Sequence, residues 1–120
     1  MFDPSPQVVE APSLVPVPAP ESAVVATLKR ARALIATPEQ WCQGQSFKVV
    51  VAPDVTAFCA LGALNCVTVH GSDMRVAVEA LQITLGHPDI AGFNDTHTHA
   101  AVLALFDRAI AQAGAGAGAT

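Results

Sequence analysis

Six prolines fall within the first twenty residues, MFDPSPQVVEAPSLVPVPAP, and they constrain the fold more than any other feature of the chain. Each proline removes a backbone donor and holds φ at about −65°, which bars the segment from a helix interior or a central strand and favours extended, polyproline-like conformations. Residues 1–20 are therefore expected to be a disordered tail. At the other end, GAGAGAT over residues 114–120 is low in complexity and is expected to be flexible. A folded domain is left with residues 21–113, enough for one modest core.

Composition narrows the function classes. Six basic residues against ten acidic ones give a net charge of −4, and the one basic cluster, Lys29, Arg30 and Arg32, spreads over a solvated helical face. This argues against nucleic acid as a partner, because phosphate affinity needs clustered Lys and Arg. No apolar run approaches the ~20 residues that span a bilayer, so no membrane partner is expected. MFDPSPQVVE has neither a basic start nor a continuous apolar stretch, as a secretory signal would. Three cysteines without regular spacing fit a reducing compartment, and the expected location is the cytoplasm.

The central segment reads as helices. In ESAVVATLKRARALIATP, residues Val24, Leu28, Ala31 and Ile35 recur at helical spacing, and Thr37-Pro38 ends the helix. TPEQ opens a further turn with Thr37 as N-cap and Pro38 at the first position, closed by Gly44. SFKVVVAPD is rich in β-branched residues and is expected to be extended, with Pro53 forcing Ala52 from helical geometry. Asp54 or Thr56 is then expected to cap a second helix, AFCALGALNCV. That helix is apolar all round, so it should be buried, with another helix crossing at Gly62.

Ser72 is expected to cap a third helix, DMRVAVEALQITL, which ends at Gly86 before Pro88. It carries two apolar stripes: Met74, Val78, Leu81 and Leu85 on one side, and Val76, Ala80 and Ile83 on the other. Such a helix is central or shared with a second copy, which points to homo-oligomerisation. The last helix, HAAVLALFDRAIAQAG, turns Val102, Phe106, Ala109 and Ala113 inward and is expected to stop at Gly114. The fold class is all-α: a compact bundle of about four helices with one short extended segment.

FNDTHTH, from Phe93 to His99, is the most polar stretch of the domain. On a helix, residues two apart point about 200° from each other, so His97 and His99 cannot converge on one ion. Thr96 or Thr98 is a good N-cap for the helix that follows. Asn94, Asp95 and the threonines are expected to satisfy amides at that entrance. Asp95 beside a helix N-terminus is favoured by the macrodipole, and His97 or His99 there suits a neutral hydrogen-bonding role.

The cysteines offer the other chemistry. Cys59 and Cys66 lie seven apart on one helical face, separated by ~10 Å along the axis, too far to bridge, and are expected to be buried small hydrophobes. Cys42, in WCQGQ, has a less regular context. With His97 and Asn94 elsewhere it supplies the components of a cysteine hydrolase, in which a histidine generates the thiolate, so these three are the catalytic candidates. Cys42, Cys59, His97 and His99 are the metal candidates, although neither CxxC nor HxxxH spacing occurs. No phosphate loop, dinucleotide fingerprint or GxSxG elbow is present, and no cofactor is expected.

Three segments, LKRARALIATPEQWCQGQ, CALGAL and IAGFNDTHTHAAVLALFDRAI, resemble a domain-of-unknown-function family of small proteins from actinobacteria, other bacteria and phages. The resemblance covers residues 28–45, 59–64 and 81–110 and leaves out the head and tail. Members of the family often carry a longer polar insertion where this chain has the apolar FKVVVAPDV. The positions the resemblance singles out are Trp41, Cys42, Gly44, Cys59, Gly62, Asn94, Asp95, Thr98, Asp107 and Arg108. It implies no activity. In structural terms Trp41 would anchor the core, Gly62 would allow close helix approach, Asn94 and Asp95 would shape their turn, and Asp107 or Arg108 would hydrogen-bond it. The chain is thus expected to be a small soluble helical protein, a non-enzymatic protein-interaction or accessory module of bacterial or phage origin. The alternative is a Cys/His hydrolase or zinc-binding module around Cys42 and the Asn94–His99 turn.

Overall fold

Helix caps and β-branched runs divide the chain into its elements. The computed structural model describes residues 21–50 and 55–118; the proline-rich head and the expected roles of Pro53 and Asp54 lie outside them. Helix α1 spans Ala23–Leu34, started by Ser22, whose hydroxyl accepts from the Val25 N–H at 3.3 Å. A single 3₁₀ turn, Pro38–Gln40, follows, with Thr37 before it and proline at its first position.

The next segment holds the expected short extended stretch and adds a second strand to it. Strands β1, Phe47–Val50, and β2, Val55–Phe58, form an antiparallel pair with Phe47 opposite Phe58 and Val49 opposite Thr56. Thr56 therefore sits in a strand rather than capping a helix. Thr56 and Phe58 find cross-strand partners in Val49 and Phe47, and a cross-strand pair outweighs weak local helix propensity. Helix α2, Ala60–Val67, starts only after this, with Cys59 as its N-cap: the thiol sulfur accepts from the Gly62 N–H at 3.3 Å.

Helix α3, Gly71–Leu85, begins a little earlier than expected, with His70 rather than Ser72 in the cap position. Gly86 closes it in the left-handed region, φ 77°, and gives its N–H to Gln82 O at 2.8 Å. Helix α4, Ile90–Thr96, is capped by Asp89, whose carboxylate accepts from the Gly92 N–H at 2.8 Å. Helix α5, His99–Gly118, runs through Gly114 instead of stopping there. Each glycine costs about 1 kcal/mol against alanine, but the alternating alanines are the best helix formers and carry the helix on.

Among the described residues the fold is thus five α-helices, one 3₁₀ turn and one two-stranded sheet. Helix α1 packs against α2, α3 and α5, and α3 against α5. Leu28 and Ala31 of α1 with Ile35 at its C-cap, Ala63 and Leu64 of α2, Ala77 and Leu81 of α3, and Val102, Leu105, Phe106 and Ala109 of α5 form the core. The abundant alanines let the helices approach closely. Gly62 is also a point of close approach, but not of a helix: a Cβ there would lie 1.9 Å from the carbonyl oxygen of Ser46, in the loop before β1. Of the two stripes on α3, the one with Leu81 faces the core, while Val76 and Ile83 remain 44% and 76% exposed. No helix among the described residues is long and apolar enough to cross a membrane.

Candidate functional site

The polar residues singled out in the sequence meet where the Trp turn passes α4. After the 3₁₀ turn the chain extends, and Trp41 bridges Phe58 in parallel on the edge of β2 that β1 leaves open. The Cys42 N–H donates to Phe58 O at 3.1 Å, which fixes the turn against the strand.

Asn94 of α4 reaches this junction with a side chain that is 0% exposed. Its Oδ1 accepts from Trp41 Nε1–H at 2.8 Å and from the Ala60 N–H at 3.0 Å. Its Nδ2 donates to Cys42 O at 3.0 Å and to Asp95 Oδ1 at 3.1 Å. The full capacity of a buried amide is used, two donated and two accepted bonds. Ala60 opens α2, so its N–H is one of the helix's unpaired donors and Asn94 satisfies it from a distant element. Asp95 Oδ1 accepts also from the Gly44 N–H at 2.8 Å, and Gly44 has φ 79°, a conformation that glycine adopts at little cost. Gln43 Nε2 completes the tie, donating to Asn94 O at 3.1 Å and His97 O at 2.9 Å.

These contacts revise the expected roles. Asn94 and Asp95 serve Ala60 and Gly44 rather than the entrance of the last helix. Thr98 caps that helix, its hydroxyl accepting from the Ala101 N–H at 3.1 Å. Asp107 does not bond the FND turn: its carboxylate accepts from both Arg32 Nε and a terminal nitrogen of Arg32, at 2.6 and 3.3 Å, tying α1 to α5. Arg108 is exposed.

Cys42 is buried, and its thiol points at the carbonyl oxygens of Gln45 and Ala57, 3.5 and 3.7 Å away. Burial pushes the thiol's pKa up, the nearby Cys59 and Asp95 raise it further, and Lys48 opposes them. At neutral pH Cys42 is therefore a thiol donor to carbonyls. Cys59 is buried at the helix cap, but Cys66 is exposed rather than packed inside, because it lies with Asn65 on the side of α2 turned away from Ala60, Ala63 and Leu64.

The histidines face different ways. His97 stacks on Phe93 with ring centroids 3.9 Å apart, and its Nδ1 lies 3.0 Å from Phe93 O and 3.0 Å from Thr96 Oγ1. His99 packs by Trp41, centroids 5.4 Å apart, and sets Nε2 2.6 Å from Ile35 O. A ring nitrogen that meets a carbonyl must carry its hydrogen, so His97 donates through Nδ1 and His99 through Nε2. Among the described residues no group of three or more His, Cys, Asp or Glu side chains could hold a metal ion. Arg32, expected only on a solvated basic face, pairs with Asp107, and Gln43 had no assigned role; the one signal for Gln43 was a polar residue inside an otherwise tight Trp-Cys-Gly turn.

A helical domain pinned at one buried asparagine, with Trp41, Cys42, Gly44, Asn94 and Asp95 around it, is what the fold and this junction define. The model of the family of unknown function DUF6197 matches residues 19–112, and the chain belongs to that family. No curated protein and no solved structure matches it.

Proposed function

We propose that the chain is a non-enzymatic helical module that works by contact with another protein chain, a second copy of itself being the first to test. The observation that carries this reading is the outer stripe of α3. Ile83 is 76% exposed and Val76 44% exposed, on a helix whose other side builds the core. A shallow groove beside Ile83, lined by Ala80, Thr84, Ala109, Gln112 and Ala113, continues the apolar surface onto α5. Apolar area of this kind gains free energy when another chain covers it. The junction around Asn94 supports the same reading from the other side, since its polar groups are spent on one another. Free thiols suit a reducing compartment, which supports a cytoplasmic setting for the module.

Size-exclusion chromatography with light scattering tests this on the wild type and on Ile83→Glu. The wild type is expected to elute above its monomer mass and the variant at it, with unchanged far-UV circular dichroism. A wild type that stays monomeric at every concentration, and retains no protein partner through this face, overturns the reading.

A further inference from the structure

The parallel bridge between Trp41 and Phe58 sets two cysteines side by side. In a parallel ladder the residues that follow a bridged pair are neighbours in their turn, and here they are Cys42 and Cys59. The Cys42 N–H to Phe58 O bond, 3.1 Å, holds the two chains together at that step. Side chains alternate along extended chain, so both cysteines leave the face of Trp41 and Phe58 and turn inward. Their exposures agree: 8% for Cys42 and 7% for Cys59, against half-buried Trp41 and Phe58. Adjacent strands lie about 4.8 Å apart, within the Cα separation of about 4.4–6.8 Å that a disulfide spans.

We propose that Cys42 and Cys59 are a redox modification site, a dithiol that closes to a disulfide and clamps the Trp turn to the N-terminus of α2. The oxidant is a low-molecular-weight disulfide, RSSR. One cysteine loses its proton to solvent and its thiolate attacks a sulfur of RSSR, forming a mixed disulfide and expelling RS⁻, which takes up a proton. The second cysteine, deprotonated in turn, attacks the protein sulfur and expels the second RS⁻. Two protein thiols are oxidised by two electrons, and RSSR is reduced to two RSH. Excess RSH reverses both steps. Burial, and the proximity of Cys59, hold the Cys42 thiol protonated, so exchange runs through local opening of the hairpin and is slow in the folded chain. Cys66 is exposed and lies ~10 Å along the helix from Cys59, out of reach of the pair.

The test removes the kinetic barrier. The full chain carrying Cys66→Ser is unfolded in denaturant, refolded in a glutathione buffer rich in the oxidised form, then alkylated and mapped under non-reducing conditions. The expected product is a mass lower by about 2 Da with a Cys42–Cys59 linked peptide, and a Tm higher than the reduced protein's by about 5 °C or more. In wild-type chain under the same conditions Cys66 takes glutathione or alkylates and stays outside the bridge. Recovery of Cys42 and Cys59 as free thiols or as separate glutathione adducts in the refolded protein overturns the proposal, as does a bridge that uses Cys66 in the wild type.

Discussion

Asn94 concentrates more structural consequence than any other single side chain. Truncation to alanine strips partners from Trp41 Nε1–H, the Ala60 N–H and Cys42 O at a site closed to water. A buried polar group left unpaired costs about 1–3 kcal/mol, so Asn94→Ala is expected to lose about 3 kcal/mol or more, seen as a lower urea midpoint with an unchanged slope. Asn94→Asp does not rescue it, because an acceptor replaces the amide donors that face Cys42 O and the Asp95 carboxylate. Cys42 adds a pH dependence. Its folded-state pKa lies above the ordinary 9.0, so the unfolded chain ionises first as pH rises. The stability that the buried thiol contributes is complete below pH 9.0 and is lost as the pH climbs through the folded value. Under reducing conditions, Tm measured from about pH 8 to about pH 10.5 is expected to fall more steeply for wild type than for Cys42→Ala. The family resemblance singled out Trp41, Asn94 and Asp95 but gave them separate roles, a core anchor and a turn, and did not link them. The partners are 53 residues apart, and no local pattern encodes which amide a distant asparagine will meet.

Elements were legible where a cap or a long period marked them. Gly86 and Thr98 ended and began their helices as their chemistry demands, and the stripes of α1 and α5 were plain at helical spacing. VTAF was not legible, since a short apolar run reads equally well as strand or buried helix and only pairing with FKVV decides it. Glycine misled twice, and the two cases separate by substitution. At Gly62 an added Cβ would lie 1.9 Å from a backbone oxygen, so Gly62→Ala must push α2 off the Ser46 loop and is expected to cost about 2–3 kcal/mol despite alanine's better helix propensity. At Gly114 nothing lies within 4 Å of that position. Gly114→Ala is therefore expected to raise helical ellipticity and stabilise the end of α5 by up to about 1 kcal/mol. Thermal denaturation followed at 222 nm reads both signs.

At the scale of the molecule, α3 divides the apolar surface into a part the chain covers itself and a part it leaves to water. Phe106 belongs to the first: fully buried with Leu28, Leu81 and Leu105, it cannot be truncated without leaving a void. Phe106→Ala is expected to cost about 3–5 kcal/mol in denaturant unfolding at any protein concentration. Ile83 belongs to the second, and its exposed side chain contributes little to folding of one chain. Ile83→Glu is expected to leave the stability of a dilute sample within about 0.5 kcal/mol of wild type. The two substitutions diverge on concentration. Association stabilises only the folded state, so a wild type that pairs through α3 shows a Tm that rises with concentration, while Ile83→Glu removes that rise. Phe106→Ala lowers Tm and keeps the rise as long as the outer stripe is intact. A wild-type Tm that is flat across a hundredfold dilution series would mean that α3 presents Val76 and Ile83 to water without a second copy to cover them.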